Sequence, residues 1–151
     1  MHKPYKGFSN YVEYVQEEFK AGYAEGLALF LKMKKLGLKP VSVDGGYFLP
    51  LEITEETKRL IPQKYFALSD YEDDPSSRVI KKDFAALGRV PLDYAFCRWL
   101  TIEKGLTLMP VTCFQIDESE QLIENYVRLS ICKPKEFFTD PELLRRAEVF
   151  Y

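Results

Sequence analysis

Histidine is nearly absent from this chain: the single one is His2, beside the initiator and outside any patterned segment. A Ser-His-Asp or Cys-His arrangement therefore has no base, and hydrolase triads are excluded. Cysteine is scarce as well. Cys97, Cys113 and Cys132 are odd in number and share no CxxC spacing, so neither a disulfide framework nor a zinc site is encoded, and reduced thiols in a cytoplasmic protein are expected. Among the eight glycines no GxGxxG or GxxxxGK[ST] pattern occurs, and the Gly45-Gly46 pair lacks the further glycines that would cradle a pyrophosphate. Nor is one sign of charge in excess. With 21 Lys+Arg against 23 Asp+Glu, the chain has no electrostatic reason to bind nucleic acid or an anionic membrane surface. The richest apolar run, Leu27 to Leu31, is far short of the roughly 18 residues that span a bilayer, and the N-terminus has no signal-peptide apolar segment. The acidic run Asp70-Tyr71-Glu72-Asp73-Asp74-Pro75-Ser76-Ser77 lacks the spacing of a calcium loop and reads as solvated surface.

What remains is a chain of 151 residues, 46% of them apolar, which suits one domain and not two. From Ser9 to Leu36 the apolar residues Val12, Val15, Phe19, Tyr23, Leu27, Phe30 and Met33 recur every three or four positions, forming one face of a long helix. Asn10 or Ser9 caps its first turn, and Lys32, Lys34, Lys35 and then Gly37 mark its end. Gly22 and Gly26 sit four apart on it, each costing about 1 kcal/mol against alanine, so something is expected to pack close to the backbone there. Tyr11, Tyr14, Leu29 and Leu31 fall outside the main stripe and are expected to leave an exposed apolar patch.

Beyond Pro40, Val41-Ser42-Val43-Asp44, the Gly45-Gly46 turn and Tyr47 to Ile53 read as a hairpin or two successive strands, with Pro50 at an edge or a bulge. Residues 54 to 91 hold no sustained period and read as an excursion loop with a short helix. Asp93 is placed to cap a helix running to Lys104, with Phe96, Trp99 and Leu100 buried and Gly105 as its stop. A strand interrupted by Pro110 follows over Leu106 to Phe114, and Asp117 to Glu124 reads as a short helix or loop. Tyr126 to Cys132 is the clearest strand, with Val127, Leu129 and Ile131 on one face and Tyr126, Arg128, Ser130 and Cys132 on the other. Thr139-Asp140-Pro141-Glu142 has the cap, early proline and glutamate of a last helix start. The layout is α+β: a two-layer sandwich of a mostly antiparallel sheet, a long N-terminal helix and further helices on one face.

Three segments carry a resemblance. Leu38-Lys39-Pro40 leads to Gly45-Gly46-Tyr47-Phe48; Asp93-Tyr94-Ala95-Phe96-Cys97-Arg98-Trp99-Leu100 is followed by Lys104-Gly105-Leu106 and Met109-Pro110-Val111; and Tyr126-Val127-Arg128-Leu129-Ser130-Ile131-Cys132-Lys133 comes last. In order and spacing they resemble the C-terminal small domain of fold-type I aminotransferases that use pyridoxal phosphate, in the kynurenine and glutamine transaminase branch. The likeness covers the chain from about Ser9 onward.

The resemblance implies that residues 1–151 form a single small domain whose large, cofactor-binding domain is missing. The Schiff-base lysine would lie there: Ser77 is followed by Arg78-Val79-Ile80 and not by the family's Ser-x-x-Lys setting. It implies no catalytic, cofactor-binding or metal-binding residue within this chain, and pyridoxal phosphate held by the full-length enzyme but not by this chain alone, which is expected to be inactive. The implied substrate-binding residues are Arg128, matching the arginine that grips the substrate α-carboxylate, and Gly46 and Tyr47, matching the turn that approaches the substrate. Pro110 to Phe114 match the loop flanking the active site, although many relatives have glycine where this chain has Val111 or Thr112. The implied reaction moves an amino group between an amino acid (kynurenine, glutamine or another bulky one) and a 2-oxo acid. The implied partners are those substrates, the chain's own large domain and the second subunit of a homodimer, with no nucleic acid and no membrane. Met1 to Gly7 carry neither cap nor core pattern, as expected of a start inside a longer protein. Taken without the resemblance, Arg128 reads as an exposed strand arginine paired with a nearby acid and Gly46 as a plain hairpin turn; the alternative function is a non-catalytic binding or interaction module that keeps the small-domain fold.

Overall fold

Helix α1, Tyr11–Lys32, starts where its capping chemistry allows. In the computed structural model, which describes residues 4–68, 82–115 and 122–150, Asn10 Oδ1 accepts the Glu13 N–H at 3.0 Å and the Glu13 carboxylate accepts the Ser9 N–H at 2.8 Å. Two early backbone donors are thereby satisfied reciprocally, with Asn10 as the cap. The helix stops at Lys32, short of Leu36, because the chain tightens into a 3-10 turn over Lys34–Leu36 that ends on Gly37 in the left-handed region.

Four strands follow: β1 (Lys39–Pro40), β2 (Phe48–Glu52), β3 (Met109–Pro110) and β4 (Tyr126–Ser130). They form one antiparallel sheet in the order β1-β2-β4-β3. The register sets Leu49 opposite Leu129 and Leu51 opposite Val127, so one face carries the core and the alternate residues Phe48, Pro50, Tyr126, Arg128 and Ser130 stand on the other. Leu49, Leu51 and Val127 are fully buried. The strand expected at Val41 to Asp44 is not formed; the residues that pair with β2 are Lys39 and Pro40, just before it. Pro50, expected at an edge or a bulge, sits in an interior strand. The Pro50 carbonyl accepts the Val41 N–H at 3.0 Å just past the end of β1, so the side on which proline lacks a donor faces the short edge strand and not β4.

The excursion loop carries helix α2, Glu55–Leu60, capped by Thr54, and a 3-10 turn at Gln63–Phe66. Helix α3, Leu92–Lys104, buries Phe96, Trp99 and Leu100 as expected and ends on Gly105 at φ +66°. Its start differs from the expectation: Pro91 occupies the cap position, and the first-turn N–H of Leu92 donates to the Glu124 carboxylate at 2.8 Å. That carboxylate also takes a two-pronged pair from Arg89 at 2.6 and 2.7 Å. Asp93 is the second helical residue, and its carboxylate turns elsewhere. The strand expected over Leu106 to Phe114 is regular only at β3, because Pro110 breaks it and the chain turns at Thr112–Phe114. Helices α4 (Lys135–Phe138) and α5 (Pro141–Ala147) close the chain, with Asp140 capping α5.

Helix α1 lies against the inner face of the sheet through its glycines: Gly26 faces Leu129 and Phe138, and Gly22 faces the backbone of Ile131. Leu29, expected outside the buried stripe, is 7% exposed: it belongs to the core cluster together with Phe138 of α4, and the two line one cavity with Leu108 and Leu129. Val12, expected on the buried stripe, is 57% exposed and Tyr11 is 59% exposed. The N-terminal half of α1 thus leaves an apolar and aromatic surface open, on which Tyr5, Phe8, Tyr11 and Tyr14 cluster with ring centroids 5.1 to 6.2 Å apart. Light scattering is expected to show concentration-dependent self-association of this chain, reduced by Tyr11→Lys with Val12→Glu; a clean monomer at high concentration would contradict it.

His2, the acidic run from Asp70 to Ser77 and residues 117–121 of the segment ending at Glu124 lie outside the described residues. Among the described residues no group of three or more His, Cys, Asp or Glu side chains is placed to hold a metal ion, and no helix is long and apolar enough to cross a membrane.

Candidate substrate-binding site

Arg128 sits at the middle of β4, opposite Pro50 of β2 and Met109 of β3, on the sheet face turned away from the core. Its guanidinium lies over two aromatic rings, with Cζ 4.5 Å from the Phe48 centroid and 3.8 Å from that of Phe114. Both contacts are of cation–π type. Nη2 donates to Met109 Sδ at 3.1 Å, a weak acceptor. Nε is buried and has no hydrogen-bond partner. Among the described residues no carboxylate pairs with this arginine. Among the described residues, then, Arg128 has no acid neighbour, unlike the paired surface arginine that its place on a strand alone would suggest. A guanidinium offers five donors in a planar fork, and this one holds its fork against rings and sulfur with donor capacity unspent.

The turn that brings Phe114 to Arg128 is fastened by Asp93. The Asp93 side chain is fully buried and accepts the Thr112 N–H at 2.8 Å, the Thr112 hydroxyl at 2.9 Å and the Tyr94 N–H at 2.9 Å. Burial pushes its carboxyl up to about 6, with the Thr112 and Tyr94 hydrogen bonds pulling the other way. The sign of the pH effect follows from an unfolded value near 3.9. Between about pH 4 and pH 6 the folded chain holds a proton that the unfolded chain has lost, so this group's contribution to stability is complete below about pH 4 and lost as pH rises through 6. Urea unfolding of wild type and Asp93→Asn across that window is expected to show wild-type stability falling relative to the variant; a constant difference would contradict the assignment.

Gly46 and Tyr47 belong to a neighbouring feature. They line an open cleft of about 880 Å³ between the N-terminal half of α1 and residues 43–47, which Val12, Phe19 and Tyr23 also line. Gly46 adopts φ +106°, and a Cβ there would meet nothing within 4 Å; backbone conformation, and not close approach, is what calls for glycine. The Tyr47 ring is 57% exposed and meets Phe19 edge to face at 5.0 Å, and its carbonyl accepts the Ile131 N–H at 3.0 Å. Tyr47 is joined to the Arg128 cluster through the next residue, Phe48. Of the residues that contact the guanidinium, Phe114 belongs to the 110–114 loop that the resemblance places beside the active site, whereas Phe48 and Met109 had no assigned role; the two-residue alternation of β2 and β4 was the available signal for Phe48, since it sets that ring on the Arg128 face.

Two other kinds of chemistry find no support here. Burial raises the Cys97 and Cys113 thiols away from the thiolate range. No described lysine is buried, and Lys6 and Lys64 are held more firmly protonated by Tyr14 and Glu103. The described residues therefore offer no buried amine of the kind that anchors a cofactor such as pyridoxal phosphate.

No protein-family model matches the chain. Human kynurenine–oxoglutarate transaminase 3 is 30% identical over 101 residues, covering 67% of this chain and 17% of that protein. The mouse protein of the same name is 29% identical over 115 residues, covering 76% and 20%, and kynurenine–oxoglutarate transaminase of Dictyostelium discoideum is 30% identical over 105 residues, covering 70% and 20%. Among solved structures, Bna3p of Saccharomyces cerevisiae, a candidate kynurenine aminotransferase, superposes with a TM-score of 0.60 at 21% identity, over 93% of this chain and 27% of that one. In sequence and in fold the chain is aminotransferase-like, related to the kynurenine–oxoglutarate transaminases and spanning about a fifth of their length.

Proposed function

We propose that this chain is the substrate-binding small domain of a pyridoxal-phosphate aminotransferase that exchanges an amino group between kynurenine, glutamine or another bulky amino acid and a 2-oxo acid. The observation that carries the reading is Arg128: a guanidinium on an open sheet face, flanked by two rings, with an unpartnered buried Nε and no acid beside it among the described residues. Its role is to grip the substrate α-carboxylate with two parallel charge-assisted hydrogen bonds, fixing the amino acid in one orientation. Gly46 and Tyr47 form the turn beside the substrate. When bound, the cofactor supplies the electron sink for amino transfer. A large domain outside this chain holds it, packed on the open N-terminal half of α1, and a second subunit completes a cytoplasmic homodimer.

The test separates the chain from the whole. Purified residues 1–151 mixed with pyridoxal phosphate are expected to give no stoichiometric, borohydride-trappable adduct at one lysine and no transamination. A polypeptide that joins the chain to an upstream segment containing a Ser-x-x-Lys motif is expected to give both. Stoichiometric trapping or turnover by the chain alone would overturn the reading.

A further inference from the structure

The Arg128 cluster depends on a residue that touches no part of it. β3 ends at Pro110, and the chain turns at once through Thr112–Phe114, which is what carries the Phe114 ring back onto the guanidinium at 3.8 Å. A three-residue 3-10 turn has little stability of its own. Here both donors of its first residue go to one carboxylate: the Thr112 N–H at 2.8 Å and the Thr112 hydroxyl, its single proton shared between the two Asp93 oxygens at 2.9 Å each. Both partners are shut off from water: Asp93 is 0% exposed and Thr112 7%. Asp93 is itself rigid, being the second residue of α3 and accepting the Tyr94 N–H. A buried carboxylate is costly unless fully hydrogen-bonded, and a serine-sized hydroxyl or neutral acceptor would serve the helix start as well. The exposed Phe114, by contrast, is held by the turn and by its contact with the guanidinium.

We infer that Asp93 is a positioning residue for carboxylate recognition: through Thr112 it latches the 112–114 turn and so seats Phe114 on Arg128, holding the guanidinium in the orientation that receives the substrate carboxylate. The inference rests on the proposed role of Arg128. Asp93 contacts neither substrate nor Arg128 in this arrangement; it acts by removing freedom from the ring that confines the fork. Because the latch is made of the Thr112 hydroxyl and amide, the hydroxyl and not the bulk of the side chain at 112 is what matters.

The Arg128 Nε–H resonance of the 151-residue chain reads the latch directly, since a ring stacked on a guanidinium displaces it. Phe114→Leu marks the position of the unstacked line. Asp93→Asn and Thr112→Val are expected to move the line to that position, whereas Thr112→Ser keeps it at the wild-type one. Thr112→Val, which removes only the hydroxyl's bifurcated bond, keeps the test valid where Asp93→Asn perturbs folding. In the same samples L-kynurenine affinity should fall about tenfold in Asp93→Asn and Thr112→Val and stay within about twofold of wild type in Thr112→Ser, as expected for loss of about one charge-assisted bond's worth of preorganisation. If the line stays at its wild-type position in folded Asp93→Asn and Thr112→Val, the latch is wrong. If instead the wild-type line does not respond to L-kynurenine at all, it is the carboxylate role of Arg128 that fails.

Discussion

Gly22→Val is expected to destabilise the fold by about 4 kcal/mol, lowering the melting temperature by about 10 °C, while Gly26→Ala leaves stability unchanged or raises it by up to about 1 kcal/mol. The two glycines sit one helical turn apart and look alike in sequence. A Cβ on Gly22 would lie 2.6 Å from the Ile131 carbonyl oxygen and 3.1 Å from that of Lys133. Those are backbone atoms at the end of β4, so relief requires the helix to lift from the sheet, and valine adds two further methyls to the clash. On Gly26 the neighbours are the Phe138 ring at 3.4 Å and Leu129 Cδ2 at 3.5 Å, side-chain atoms at ordinary contact distance that can adjust. There the helix gains alanine's propensity with no counterweight. Thermal melts of both variants check the pair; equal effects would mean that α1 does not approach the 131–133 backbone as described.

That close approach was legible as a bare expectation from two glycines on one helix face, but not which of them makes it. The periodicities that run through local sequence were the reliable signals. The 3.6-residue stripe placed α1, and the alternation of Val127, Leu129 and Ile131 placed β4 and set Arg128 on the outer face. What failed were features decided at long range. The start of α3 is satisfied by Glu124, 32 residues away, so the nearest acid, Asp93, looked like the cap. Pro50 tolerates an interior strand because its neighbour β1 stops after two residues, a length no local pattern dictates. Val12 belongs to the apolar stripe yet stands open, on the wall of the cleft that separates the start of α1 from residues 43–47.

The site divides the same way. Resemblance pointed to Arg128, Gly46 and Tyr47 and set the 110–114 loop beside the site, and alternation allowed Phe48 to be set beside Arg128, but no local pattern shows that the Phe114 ring lies on the guanidinium. Its placement needs the turn at Thr112, and the turn needs a buried carboxylate from another element. A run such as Pro110-Val111-Thr112-Cys113-Phe114 carries no period from which that could be read.

Arg128→Lys addresses the central claim. Lysine keeps the charge but replaces a planar two-donor fork with a single flexible ammonium. Its amine has no flat surface to lie over Phe48 and Phe114 as the guanidinium does. Loss of a bidentate, charge-assisted pair in a water-poor site is worth on the order of 2 to 4 kcal/mol, or roughly 30- to 1000-fold in kcat/KM. Stability should hardly change, because Arg128 makes no ion pair among the described residues and its Nε is already without a partner. The measurement is kcat/KM for several amino acids in a polypeptide that joins this chain to its cofactor-binding domain, wild type against Arg128→Lys, with thermal melting alongside. A drop of that size shared by all substrates, with the melting temperature held, is the predicted result, since the α-carboxylate is common to every amino acid. Unchanged kcat/KM across substrates would contradict it.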